Sequence, residues 1–318
     1  MDSTFVVGID VGGQTSKIGV VNARGTVLTQ TVIRTDTYDQ VEPYIAELAD
    51  AVKKLIAEAG VEGKVRGIGV GAPNGNYYTG TIENAPNLLW GRQRVEFSKL
   101  LSEAMGGLPV ALTNDANAAA VGEMTYGAAR GMKNFIMITL GTGVGSGIVI
   151  NGEVVYGHDG FAGELGHVAA VRNNGRTCGC GKTGCLETYA SATGVARTAR
   201  EWLELSDEPS VLRSLDTIAS KDVYEAAKDG DKLALKIFEF TGKILGRSFA
   251  DFIAFSSPEA IVLFGGLARA KEFLTEPIEE AMNANVLPLW RGKVKLIYSQ
   301  LKESDAAILG ASALAWEL

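Results

Sequence analysis

The sequence is poor in the residues that carry most metal, redox and nucleophilic chemistry. Its 318 residues include three cysteines and two histidines. An odd, sparse cysteine count in a long chain argues against a disulfide framework. Positive charge is the minority sign, 30 Lys and Arg against 37 Asp and Glu, for a formal net charge of −7. No basic block stands out, so nucleic acid is not an expected partner. Long apolar runs are missing too, and the longest falls far short of a membrane span. The opening Met1-Asp2-Ser3-Thr4 is acidic and leads into only a few apolar residues, unlike a signal peptide. The expectation is a cytoplasmic chain with reduced thiols and no membrane partner. Glycine and apolar residues are plentiful, at 39 residues and 46%. That composition is globular and ordered, and the length suits two domains.

The scarce ligands are concentrated. All three cysteines and one histidine fall within residues 160–188, as His167, Cys178, Cys180 and Cys185. The spacing H-x10-C-x-C-x4-C offers one imidazole and three thiolates, a closed tetrahedral set for a structural zinc ion. Such an ion would hold a loop too rich in glycine to hold itself. The plainer alternative is three unrelated buried thiols. Two carboxylates, Glu164 and Glu187, bracket the loop, and a rigid loop can aim them.

Along the chain, Thr4–Asp10 reads as a buried strand, followed by Val11-Gly12-Gly13-Gln14-Thr15-Ser16-Lys17 and a second strand from Ile18. A turn at Asn22-Ala23-Arg24-Gly25 leads to a third strand, and helical spacing runs from Asp39 to Ala59. Strand–glycine hairpin–strand then recurs at Phe135–Asn151, around Gly141-Thr142-Gly143-Val144-Gly145-Ser146-Gly147, and reads as an internal duplication. Glycine hairpins leave backbone N–H groups open to a phosphate, and two facing ones would grip one nucleotide tail. Gly265-Gly266, between a strand and a helix, offers a flat seat for a nucleoside. Neither hairpin is a Walker A loop or a dinucleotide fingerprint. Asn114-Asp115 opens an alanine-rich helix, which suits either a helix cap or a base at a strand end. The last helix, from Ser304 to Trp316, carries small residues fit for close packing.

E-L-G-H at 164–167, followed by C-x-C-G-x-x-G-C-x-E, resembles the signature of the ROK family of repressors, open-reading-frame proteins and kinases. The resemblance continues through D-x-G-G-x-T-x-K at 10–17 and L-G-T-G at 140–143, in the right order over nearly the whole chain. It implies an α/β fold of the two-domain actin-like (ribonuclease H-like) ATPase type, with duplicated βββαβα units and a cleft between domains. We draw the domains at 1–114 plus 304–318, and at 115–303 with the zinc loop 160–188. The implied activity is ATP-dependent phosphorylation of a hexose at the 6-hydroxyl, with glucose favoured on A-P-N-L-L-W at 85–90. An N-acetylmannosamine kinase, or another hexose kinase, is the alternative within the family. A non-catalytic regulator is another; family repressors carry a DNA-binding segment ahead of the first phosphate motif, which here begins at Asp10.

The resemblance assigns roles residue by residue. Asp10 would help hold Mg2+, and Gly12, Gly13, Thr15 and Lys17 belong to the first phosphate motif. Thr142 and Gly143 would lie near the β- and γ-phosphates of ATP, and Gly265 and Gly266 match the adenosine motif. Asp115 would be the base, with Asn114, Asn87, Glu164, His167 and Glu187 on the sugar. His167 would serve both zinc and sugar. His158 reads as a solvated loop residue. Two positions depart from the family pattern: Gln14, where Thr is usual, and Asn74, where Gly follows the proline. Family members are often dimers or tetramers, so a homodimer or homotetramer is implied.

Overall fold

The structure is a computed structural model and describes residues 4–318, so the acidic opening Met1-Asp2-Ser3 lies outside the described residues. The first half of the chain forms β1 (Phe5–Val11), β2 (Thr15–Asn22), β3 (Val27–Arg34), α1 (Val41–Glu58), β4 (Val65–Gly71), a small hairpin of β5 (Gly75–Asn76) and β6 (Thr81–Ile82), α2 (Phe97–Ala104), β7 (Val110–Thr113) and α3 (Asp115–Tyr126). The second half forms β8 (Phe135–Leu140), β9 (Val144–Ile150), β10 (Glu153–Val154), α4 (Glu187–Ala190), α5 (Ala192–Leu205), α6 (Ser220–Lys228), α7 (Lys232–Ser256), β11 (Ala260–Phe264), α8 (Lys271–Asn285), β12 (Lys295–Tyr298) and α9 (Glu303–Leu314).

Two five-stranded sheets repeat one pattern. The first has the order β3-β2-β1-β4-β7 and the second β10-β9-β8-β11-β12. Numbered within each half, both read 3-2-1-4-5. In the first sheet the β1–β2 and β2–β3 pairs are antiparallel, and β1–β4 and β4–β7 are parallel. The second sheet has the same antiparallel outer pair, β9–β10, and the parallel pairs β8–β11 and β11–β12. The duplication expected from the two glycine segments is therefore present as topology.

The described chain packs as two compact units. One takes the chain up to Met132, Gly147–Gly163 and Ser299–Leu318; the other takes Lys133–Ser146 and Glu164–Tyr298. The C-terminal helix groups with the N-terminal part. The break at 114/115 falls differently: α3 packs with the first unit, because its small residues lie against α9. A Cβ on Gly122 would stand 2.6 Å from the Cα of Gly310.

In the first unit, period-2 alternation splits β1 between two faces. Val7, Ile9 and Val11 join Tyr44, Leu48 and Val52 of α1 in one core, while Val6 packs with Ile308 and Leu309 of α9. The small-residue helix α9 lies almost on the sheet backbone. A Cβ at Gly8 or Gly69 would come within 2.1 Å of Ile308 O or 1.9 Å of Ala311 O. The second unit builds its core from Ile136, Ile138 and Leu140 of β8, Ile261 and Leu263 of β11, and the apolar face of α7. Gly242 and Gly246 let α7 meet α8 closely, at Pro277 and Ile278. No helix among the described residues is long and apolar enough to cross a membrane.

Candidate active site

In the first unit, the site residues gather at the ends of parallel strands. Asp10 is the penultimate residue of β1, and Gly12 to Gln14 turn the chain into β2. The turn is closed by Gly12 N–H donating to Thr15 O at 3.0 Å, and tied outward by Thr35 N–H donating to Gln14 O at 2.9 Å. Thr15 opens β2, and Lys17 pairs with Asp10 across the ladder. A Cβ at Gly13 would sit 2.8 Å from Asn87 O, so the loop carrying Asn87 packs directly on the turn. Gln14 and Asn87 have exposed side chains.

One strand over, β7 ends at Thr113 and α3 begins. Asn114 is the N-cap, its Oδ1 accepting from Asn117 N–H at 2.6 Å. Asp115, in the first turn, accepts from Ala116 N–H at 2.8 Å through Oδ1. The cap role that the sequence offers to either residue thus falls to Asn114. Asp115 is exposed to solvent, yet the protein crowded around it lifts its carboxyl above the ordinary range, desolvation outweighing the N–H groups that favour the anion. Asp10 is raised to about 6, first by burial and then by the negative charge of Asp115, with Lys17 pulling the other way. A buried carboxylate whose proton affinity is raised further by a second one, Asp115, marks a place prepared for positive charge.

Asn74 explains its own departure from the family pattern. Its φ is 51°, a left-handed conformation that Asn tolerates better than most residues. Its amide also donates to Glu83 O and Asn84 O at 3.0 and 2.9 Å, tying the two sides of the β5–β6 hairpin. Glycine could supply the first property and not the second.

In the second unit, Gly141 to Gly143 form the turn between β8 and β9, with Gly141 N–H donating to Gly143 O at 3.0 Å. The start of α5 grips it: Ala192 N–H donates to Gly141 O at 2.9 Å and Thr193 Oγ1 to Thr142 O at 2.9 Å. Gly265 (φ 102°) approaches the same strand end, where a Cβ would meet Leu140 O at 2.6 Å. Cβ atoms at Gly141 and Gly266 would meet nothing within 4 Å, so these two glycines border open space. Glu187 opens α4, and its Oε2 accepts from Val144 N–H at 2.9 Å.

The ligand atoms of His167, Cys178, Cys180 and Cys185 all lie within 4.8 Å of one another. His167 Nδ1 faces Cys178 Sγ at 3.7 Å, and Cys180 Sγ faces Cys185 Sγ at 3.7 Å. The other ring nitrogen, Nε2, lies 4.0 Å from Glu164 Oε2. Burial, then the neighbouring thiols, push Cys185 up to about 12. Cys178 is raised by burial as well, while backbone hydrogen bonding at Lys182 lowers Cys180; a divalent cation suits such a set, because its charge favours the thiolates. One brace of this loop has no signal in the sequence. Arg176, its guanidinium buried, bonds Glu201 Oε2, Thr198 Oγ1 and Thr188 O, and lies 4.5 Å from the centre of the Tyr189 ring. An arginine amid glycines and asparagines reads as solvated until α5 is in place. His158 is exposed in its loop, as expected.

The sequence-derived residues therefore fall into two sets. Asp10, Gly12, Gly13, Thr15, Lys17, Asn87, Asn114 and Asp115 belong to the first unit, and Thr142, Gly143, Glu164, His167, Cys178, Cys180, Cys185, Glu187, Gly265 and Gly266 to the second. A twice-repeated 3-2-1-4-5 sheet with a glycine turn between the first two strands of each half is the actin-like ATPase fold. The model of the ROK family matches residues 6–317, and the chain belongs to that family. Among curated relatives, a glucokinase of Halalkalibacterium halodurans is 38% identical over 319 residues, covering 99% of this chain and 96% of its own. Among solved structures, the ROK hexokinase of Thermus thermophilus superposes with a TM-score of 0.83 at 31% identity, covering 99% of this chain and 98% of that one. A ROK family glucokinase from Streptomyces griseus, solved with glucose and AMPPNP, gives a TM-score of 0.79 at 32% identity, covering 99% and 100%.

Proposed function

We propose that this protein transfers the γ-phosphoryl group of ATP to the 6-hydroxyl of a hexose, and that glucose is its preferred acceptor. The observation that carries the reading is the Asp10–Asp115 pair. Its two carboxylates stand at the ends of β1 and just past β7, and each has a raised proton affinity. The full-length likeness to glucokinases supports the choice of sugar.

Phosphoryl transfer to an alcohol is mostly a matter of position and charge. Asp115 accepts the proton of the 6-hydroxyl as the phosphoryl group arrives, and a carboxyl raised above its usual range is better matched to that proton. Asn114 spends its Oδ1 on the cap and retains an amide N–H2 for a neighbouring hydroxyl. Asn87, Glu164, His167 and Glu187 hold the remaining hydroxyls, each of which is both donor and acceptor. Backbone N–H groups of Gly12, Gly13 and Gly143, with Thr15, Lys17 and Thr142, meet the phosphates. The open borders at Gly141 and Gly266 leave room for nucleotide. Asp10 would hold Mg2+, which when bound neutralises charge on the phosphates. His167 with Cys178, Cys180 and Cys185 would hold zinc in a closed shell whose part is structural. With Nδ1 turned to the cysteines, Nε2 is the nitrogen left for sugar, oriented by the ligated side of the ring.

Steady-state kinetics on Asp115→Ala test the assignment. The expected result is a fall in kcat of about 10²- to 10⁴-fold, while glucose binding, measured by calorimetry, persists. Undiminished turnover in that variant would remove Asp115 from the mechanism.

A further inference from the structure

Glu187 does more in this fold than offer a sugar ligand. Its Oε2 accepts the Val144 N–H at 2.9 Å, which fixes the C-terminal side of the Gly141–Gly143 turn. Its Oε1 lies 3.9 Å from Cys178 Sγ, within the four-residue ligand cluster. The same carboxylate fills the space beside residue 143. A Cβ there would stand 2.3 Å from Glu187 Oε2, while at Gly141, at the other end of the turn, a Cβ would meet nothing within 4 Å. Glycine at 143 thus leaves room for a carboxylate that any side chain there would have to displace.

We infer that Glu187 is a positioning residue for the nucleotide: it braces the Gly141–Val144 turn from the side of the metal loop and holds its N–H groups in phosphate-binding order. This rests on the proposed reading of that turn as a phosphate site. A hydrogen bond to an ionised acceptor is among the stronger single contacts in a protein. A carboxylate also has lone pairs to spare for a sugar hydroxyl, so one side chain serves both substrates.

The test is nucleotide binding with no sugar present, where a role confined to the sugar would not register. AMPPNP with Mg2+ is titrated calorimetrically into the wild type, Glu187→Gln, Glu187→Ala, Gly143→Ala and the Gly143→Ala/Glu187→Ala double variant. Bound metal is quantified in each, and hydrogen exchange is followed in the peptide containing Val144. Glu187→Ala should weaken AMPPNP by about tenfold or more and speed exchange at Val144. Glu187→Gln keeps an acceptor oxygen for that N–H and should lose less. Gly143→Ala should weaken AMPPNP alone, yet cost little when added to Glu187→Ala, because both changes break one contact. Wild-type affinity in Glu187→Gln and Glu187→Ala, or additive losses in the double variant, would overturn the inference while leaving the phosphate reading intact. A wild type that does not bind AMPPNP would overturn both. If Glu187→Ala does not fold, Glu187→Gln and the exchange rate at Val144 in Gly143→Ala decide the matter.

Discussion

At the scale of single residues, the acidic pair does what neither member could do alone. Asp10 is held near 6 by burial and by Asp115, so without metal its charged form is the strained one. The sign follows from linkage. Below the unfolded value of 3.8 both states are protonated and Asp10 costs nothing. Between about 4 and about 6 the unfolded chain ionises first, so stability falls as pH rises, and above about 6 the whole penalty is present. Asp10→Asn should therefore be more stable than wild type at pH 8, by up to about 3 kcal/mol, with the advantage fading toward pH 4. Urea denaturation across that range, without Mg2+ or nucleotide, measures it, and a difference independent of pH would contradict an origin in the ionisation of Asp10. These residues were only partly legible. Asn114-Asp115 reads from the residues alone as a helix cap slightly more than as a base, the family resemblance reverses that order, and only the hydrogen bond from Asn117 N–H assigns the cap to Asn114. Asn74 reads as a departure and becomes intelligible once its φ and two carbonyl partners are known.

At the scale of elements, glycine carries more than one meaning. The two hairpins were visible as runs of glycine, but their turns are shorter than the runs. Strand β9 begins at Val144, so Gly145 and Gly147 lie inside it. Gly147 is small because of α3, where a Cβ would meet Ala120 Cβ at 2.8 Å. A single sequence cannot separate a glycine kept for a ligand from one kept for a passing helix. The cysteine–histidine loop was more legible, because its ligand types and spacing are rare together. Four ligand atoms within 4.8 Å agree with it. The Arg176 brace was not, since its partners lie on an element that spacing does not bring near. Removing the proposed zinc should loosen the loop. Prolonged treatment with a strong chelator should lower the melting temperature by at least about 5 °C, weaken glucose binding through His167, and be reversed by added zinc. Purified protein that contains no metal and keeps its melting temperature under chelation would contradict the structural role.

At the scale of the molecule, the repeat was the most legible feature and the division of the chain the least. Two short segments of low mutual identity were enough to expect a duplication, and the matching strand orders bear it out. The membership of α3 depended on helix-to-helix contact at Gly122 and Gly310, which strand and turn signals do not report. Family membership now rests on residues 6–317 together with that topology. The most direct test of hexose kinase activity is ADP release, measured by a coupled assay, over a panel of hexoses and N-acetylhexosamines with ATP and Mg2+. The predicted result is ADP formation that requires sugar, is fastest per micromolar of glucose, and leaves glucose 6-phosphate as product. No sugar-dependent ADP release from any member of the panel would contradict it.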